Sequence, residues 1–506
     1  MTNPTTYQKL IELSTKATLF QGIAMTLSWD QETKMPQKAI EIRSKQHEVM
    51  ASLVHQERTS RDFADTLGSL IDLETGSILA SDLSDAQQAA LREWRRDYVQ
   101  AVKLPSSFVE EFAKATSDSM HAWKEAKGKN DFSSFLPHLE KIVELSRQKA
   151  DILGYEEHPY NALVDEYEPE MTTGQLIPLF KRLKDPLKKL LKNIEAKPKP
   201  DDSFLHQPYP HNQQIAFGKK ILAAMGFDKS FSRLDESSHP MCMGLQPLDV
   251  RLTTRVNPQN PLPNLLSAIH EGGHGLYEGQ LPLEHYGTPL CQAASLGIHE
   301  SQSRMWETIL GRSLPFWKHF FPLLQSEYPD QLGNVALEDF HRAINIVKPS
   351  MIRVDSDEVT YNLHIMLRFE LELALLEGKL EPKNLPEAWN AKMEEYLGIT
   401  PKTNAEGCMQ DIHWSMGGIG YFPTYTLGNL YAAQFFSTFA EAHPNWENQV
   451  ENGELASIGK WLKENIHQHG RRYLPADLCE KVTGSPLSEA PFVNYLEKKY
   501  TKIYNL

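Results

Sequence analysis

Apolar residues along this chain recur mostly at three- and four-residue intervals, the spacing that gathers them on one face of a helix. Such runs are read near residues 40–57, 335–347, 358–377, 424–441 and 450–466. Ser84-x-x-Gln87, Ser107-x-x-Glu110 and Thr172-x-x-Gln175 have the form of capping boxes and predict three helix starts. From Lys181 to Lys192, the cations Lys181, Arg182, Lys184, Lys188, Lys189 and Lys192 alternate with Leu183, Leu187, Leu190 and Leu191. A solvated face over a buried leucine stripe is the simplest reading, with a lipid or acidic partner as the alternative.

Period two is scarce. Asp249-Val250-Arg251-Leu252-Thr253-Thr254-Arg255-Val256 has the alternation and β-branched content of a strand. Its free edge is a place for an extended peptide to bind, a purely structural hairpin being the alternative. Pro261-Leu262-Pro263-Asn264 then breaks the chain, and Leu265, Leu266, Ile269, Leu276 and Tyr277 resume helical spacing. The pattern predicts a mainly α protein with one small β-sheet beside this helix.

That helix carries His270-Glu271-Gly272-Gly273-His274. Residues four apart differ by about 40° around a helix axis and about 6 Å along it, so both imidazoles converge on one tetrahedral ion. Glu271 points about 100° away from His270, where a base for an activated water belongs. Gly272 and Gly273 each disfavour the helix by about 1 kcal/mol relative to alanine. Keeping them implies close approach by a substrate or a neighbouring helix, or else a kink. A hydrolytic zinc is held by three protein groups. Downstream, Gly297-Ile298-His299-Glu300-Ser301-Gln302-Ser303-Arg304 leads into a second helix to about Leu310. Glu300 is the leading third ligand, His299 its rival, and Glu278, Glu284 and Glu307 follow.

Charge and composition narrow the picture. A net charge of −14 argues against nucleic acid or an anionic membrane as the main partner. Met1-Thr2-Asn3-Pro4-Thr5 has no basic or apolar leader region, and no run of about 18 apolar residues occurs. Cys242, Cys291, Cys408 and Cys479 are scattered without CxxC spacing, as in a reducing compartment. The expectation is a soluble, cytoplasmic protein. The Pro- and charge-rich stretch Ala196 to Asp202, continuing to Pro210, is either a linker or a long surface loop.

With these residues assembled, the chain resembles the carboxypeptidase Taq family of zinc metallocarboxypeptidases over nearly its whole length. The resemblance is carried by Leu27-Ser28-Trp29-Asp30-Gln31-Glu32-Thr33 and Met35-Pro36, by Asp249 to Thr253, by the HEXXH helix and by His299-Glu300-Ser301-Gln302. It continues through Ile352-Arg353-Val354-Asp355-Ser356-Asp357, Gly407-Cys408-Met409-Gln410, His413-Trp414 and Gly420-Tyr421-Phe422-Pro423. Two departures are mild: His239-Pro240-Met241 stands where the family has HPF, and Ser356 replaces an alanine in IRxxAD. The resemblance implies one catalytic domain over 1–506, a large helical peptidase with a long central groove, divisible into two helical halves. It also implies a homodimer that removes single C-terminal residues from peptides with broad specificity.

Carried over residue by residue, the resemblance puts the zinc ligands on His270, His274 and Glu300, with Glu271 as base. Cobalt is an acceptable replacement in this donor set. Similarity to helical peptidases makes His413 and Tyr421 the donors for a tetrahedral oxyanion, the alternative being a buried structural pair. Arg353 matches the family arginine and suits bidentate capture of a terminal carboxylate, with Asp357 four residues on as the group expected to orient it. The rival readings are an oligopeptidase or dipeptidase on the same groove, and a non-catalytic zinc-bound peptide-binding scaffold.

Overall fold

A computed structural model describes residues 4–506, so the Met1 to Asn3 part of the leader reading lies outside the described residues. The expected run at 40–57 is the helix Ile40–Thr59, which pairs with the long helix Pro4–Thr33 through Arg43, whose Nη2 meets Asp30 Oδ2 at 2.6 Å. No residue of Ile40–Thr59 is buried, whereas Leu10, Ala17 and Trp29 of Pro4–Thr33 are, so the hairpin meets the body through its first helix. The boxes at Ser84/Gln87 and Thr172/Gln175 form with both reciprocal hydrogen bonds. The third does not: that helix starts two residues earlier than a box at Ser107 requires, at Ser106, behind Pro105. Pro105 takes the N-cap position with φ −59° and ψ 144°, so Ser107 already lies inside the first turn and cannot cap it.

Further along, 358–377 and 424–441 become Tyr361–Leu376 and Pro423–Ala442, while 335–347 shortens to Leu337–Ala343. The 450–466 run splits into Trp446–Glu451 and Ala456–Asn465, because Gly453 between them has φ 79°. Lys181 to Lys192 lies on Thr173–Glu195, whose Leu183, Leu187, Leu190 and Leu191 are buried. Its cations meet the protein's own acids, Arg182 with Glu489 at 3.0 Å and Lys184 with Glu370 at 3.6 Å. The 196–210 stretch is tied to the body by buried Phe204, Leu205 and Tyr209.

The sheet has three strands, β1 Ser232–Glu236, β2 Cys242–Gln246 and β3 Asp249–Thr254, in the order β1-β3-β2. Leu252 of β3 lies opposite Leu234 of parallel β1 and Cys242 of antiparallel β2. The strand expected to offer a free edge is therefore the central one, and the outer edges belong to β1 and β2. β2 comes close to the helix that bears HEXXH, Leu262–Gln280: a Cβ on Gly244 would lie 2.6 Å from Cβ of Glu278. Buried Leu265, Ile269, Leu276 and Tyr277 fix that helix in the main core. Among the described residues no helix is long and apolar enough to cross a membrane.

Candidate active site

The HEXXH helix is wedged tightly. A Cβ on Gly272 would sit 2.8 Å from Leu222 and Met225 of the helix His211–Met225. One on Gly273 would sit 2.6 Å from backbone atoms of Gln302 and Ser303, on the helix Leu296–Arg304. The glycines thus admit neighbouring helices. From the other side, a Cβ on Gly428 of Pro423–Ala442 would lie 2.5 Å from Glu300 Cγ. Glu300 is held between two backbones.

This packing brings His270, His274 and Glu300 together, with one ligand atom from each lying within 4.8 Å of the others. Glu300 Oε2 is 3.7 Å from His270 Nε2 and 3.4 Å from His274 Nε2. Bonds of about 2.0–2.2 Å in a tetrahedral site put neighbouring donors roughly 3.3–3.6 Å apart, so the set fits a divalent ion. The three side chains remain 23%, 14% and 12% exposed, which leaves the cluster accessible from outside. His270 Nδ1 donates to Glu307 Oε2 at 2.9 Å, which leaves its Nε2 lone pair facing the cluster.

Of the other ligands considered, His299 donates to Glu278 at 2.7 Å and Glu284 is exposed on a short 3-10 turn. Burial pushes Glu271 up to about 7, partly offset by His270. Burial opposes protonation of His270, but Glu300 and the hydrogen-bonded Glu307 outweigh it and lift the imidazole to about 9. His274 goes the other way, down to about 3, through burial and neighbouring His299. These values belong to the protein groups alone, and a dication would favour neutral histidines and ionised carboxylates. At the far end of the same helix, Glu278 lines a cavity of about 630 Å³ together with Gly244, Gln246 and Cys291.

Arg353 lies buried on a 3-10 turn, Arg353–Asp355. The expectation that Asp357 orients it is wrong. Asp357 accepts instead from the backbone N–H groups of Lys348, Val359 and Thr360, between 2.9 and 3.1 Å, and serves its own loop. Arg353 is oriented by Asp411, whose Oδ1 accepts from Nε at 3.0 Å and from Nη2 at 2.9 Å. Asp411 Oδ2 meanwhile accepts from Arg368 Nε at 2.7 Å. Two buried guanidiniums thus share one carboxylate, held well below the usual range because the two arginines outweigh its burial. Tyr361 connects the clusters: Arg353 Nη1 donates to its hydroxyl at 3.0 Å, and the Arg304 guanidinium lies 5.0 Å over its ring.

His413 and Tyr421 are neighbours, with ring centroids 5.1 Å apart. Tyr425 had no part in the sequence reading, yet its hydroxyl pairs with His413 Nε2 at 3.1 Å. Burial lowers His413 to about 4, so the ring is neutral near pH 7, and its buried Nδ1 has no hydrogen-bond partner. Arg368, Tyr361 and Tyr425 also escaped the sequence reading. A signal existed for the first: Arg368 is a cation in the largely apolar helix Tyr361–Leu376, and a buried charge needs a partner.

A mainly α fold in which an HEXXH helix and a following glutamate converge on one cation-sized space is the framework of a metallopeptidase. The chain belongs to the carboxypeptidase Taq (M32) metallopeptidase family, which it matches over residues 9–500. It is 44% identical, over the full length of both chains, to thermostable carboxypeptidase 1 of Thermus thermophilus. It is 38% identical to carboxypeptidase 1 of Bacillus subtilis, covering 99% of each chain. The M32 carboxypeptidase of Deinococcus radiodurans superposes with a TM-score of 0.96 at 37% identity, covering 99% of this chain and 100% of that one. Trypanosoma cruzi metallocarboxypeptidase 1 follows with 0.91 at 33% identity, over the whole of both chains.

Proposed function

We propose that this protein is a zinc-dependent carboxypeptidase that releases single C-terminal amino acids from peptides with broad side-chain tolerance, and that residues 1–506 act as one catalytic domain. The observation that carries the reading is the pairing of two incomplete charge clusters, a cation-sized His270/His274/Glu300 space and a buried Arg353/Arg368 pair with only Asp411 between them. A peptide with a free C-terminus supplies the missing anion. Family membership supports the same chemistry. Zinc suits two histidines and a carboxylate, and cobalt can replace it.

A divalent metal held by His270, His274 and Glu300 would supply Lewis acidity to the scissile carbonyl and to a water. Glu271, beside that space but outside the ligand set, takes the proton from the attacking water and passes it to the leaving amine. His413 and Tyr421, with Tyr425 next to them, donate to the oxygen on which negative charge develops. Arg353 receives the terminal carboxylate. Asp411 holds its Nε and Nη2 and the Tyr361 hydroxyl takes one Nη1 proton, so the carboxylate is received by the protons that remain on Nη1 and Nη2. A homodimer in the cytoplasm completes the proposal, on family resemblance and on four cysteines that are all free.

The test is incubation of metal-loaded protein with a free-acid peptide and its C-terminal amide, followed by mass spectrometry. Stepwise loss of single residues from the free acid alone is the expected result. Internal cleavage, or equal cleavage of both peptides, would replace this reading with an oligopeptidase. No cleavage of either by zinc- or cobalt-loaded protein would point to the non-catalytic scaffold.

A further inference from the structure

The two histidines of the motif are supported unequally. His270 gives its Nδ1–H to Glu307, whereas the buried Nδ1 of His274 has no hydrogen-bond partner. His274 is covered instead by the ring of His299, stacked at a centroid distance of 4.4 Å. A ring held by stacking is located but not turned toward a particular tautomer. A ring donating to a carboxylate is fixed in both respects.

Glu307 is itself firmly placed. The helix that carries Glu300 ends at Arg304, and Met305–Leu310 winds on as a π-helix, with Gly311 N donating to Trp306 O at 2.8 Å. Short π segments of this kind are frequent at functional sites. The Glu307 carboxylate accepts from Arg304 Nη1 at 2.8 Å on the same oxygen that His270 uses, and Arg312 lies 3.8 Å from the other oxygen. Arg304 is anchored in turn by Asn429 Oδ1 at 2.8 Å, on the helix that also carries Gly428. His270 is therefore oriented from a scaffold shared with Glu300.

We infer that Glu307 is a positioning residue for the metal: it fixes the tautomer and direction of His270 and strengthens it as a donor, so that His270 is the firm arm of the site and His274 the weaker one. This rests on the reading of His270, His274 and Glu300 as ligands. Glu307 touches neither substrate nor reacting atoms, and its effect passes through His270.

The experiment uses the full-length protein and its Glu307→Ala, Glu307→Gln and His270→Ala variants. Zinc affinity is measured by competition with a chromogenic chelator, and the ligand field by visible absorption of the cobalt-loaded forms. Glu307→Ala should weaken zinc binding by about 10–100-fold and shift the cobalt bands. Glu307→Gln should recover part of that loss, because its amide oxygen still accepts from Nδ1–H. Wild-type affinity and spectrum in Glu307→Ala, alongside metal loss in His270→Ala, would overturn the inference and leave the ligand reading standing. Undiminished affinity in His270→Ala would remove the ligand reading itself. Should the alanine variant fail to fold, the near-isosteric glutamine variant carries the test through its spectrum, and unshifted bands there overturn the inference. A lower melting temperature of the metal-free protein with unchanged zinc affinity would mark Glu307 as structural only.

Discussion

Around the HEXXH histidines the protein gathers acids: Glu271, Glu300 and Glu307 surround His270, with Arg304 beside the last two and Arg312 beside Glu307. Around Asp411 the ratio inverts, with Arg353 and Arg368 on one carboxylate and both guanidiniums buried. Two guanidiniums on one carboxylate would be costly as a purely structural feature, since an uncompensated charge taken out of water is unfavourable by several kcal/mol. Side by side the two clusters complement a metal dication at one end and a peptide carboxylate at the other. The difference teaches that the two ends of the site are built for opposite charges, the acids for a metal and the paired arginines for a carboxylate.

Breaking the acidic cluster should have the largest effect. Glu271→Gln keeps all three ligands and removes the base, so turnover should fall by roughly 10²–10⁴-fold with zinc content unchanged. Elemental analysis beside a kinetic assay checks this, and a metal-replete variant with near-normal turnover would take the base role away from Glu271.

Breaking the basic cluster should be milder and selective. Arg353→Ala deletes a charge-assisted contact, so kcat/KM for free-acid peptides should drop at least about tenfold while zinc content holds. Amidated peptides, cut slowly if at all, should show a much smaller change. Equal losses on both series would mean that the cleft had collapsed instead of losing an anchor.

The smallest effect sharpens the comparison with a buried acid held mainly by neutral hydrogen-bond donors, on which Arg368 acts only as a minor charge. Glu372 accepts from Tyr160 Oη at 2.7 Å, Trp414 Nε1 at 2.8 Å and Gly420 N at 3.2 Å, and burial still raises it to about 7. With a folded value above the unfolded 4.5, the native state binds the extra proton. The stability this contributes is full below about pH 4.5 and is lost as pH rises through about 7. Glu372→Gln should flatten that decline by roughly 1–2 kcal/mol in urea unfolding compared near pH 5 and pH 8. An unchanged pH slope would mean that Glu372 is ionised throughout.

Much of the acidic cluster was legible in the sequence, because helical periodicity alone sets how His270, Glu271 and His274 diverge. The basic cluster was half legible. Arg353 stood out, but its partner Asp411 lies 58 positions away, and the nearer Asp357 drew the expectation although loop N–H groups claim it. No period announces the π-helix that carries Glu307, since it forms where a regular helix would have been the default. The sheet misled for a related reason. β3 alternates in sequence, while β1 and β2 show no matching burial pattern, so nothing betrayed that β3 is covered on both edges.

Gly273 and Gly428 press on the Glu300 helix from two sides, with room at neither for one methyl group. A single base change turns a glycine codon into an alanine codon, so both substitutions arise readily in any large population. Each would leave every ligand, the base and the carboxylate anchor spelled correctly in the gene while forcing Glu300 out of line with the histidines. Such alleles would behave as nulls that inspection of the motif alone scores as intact.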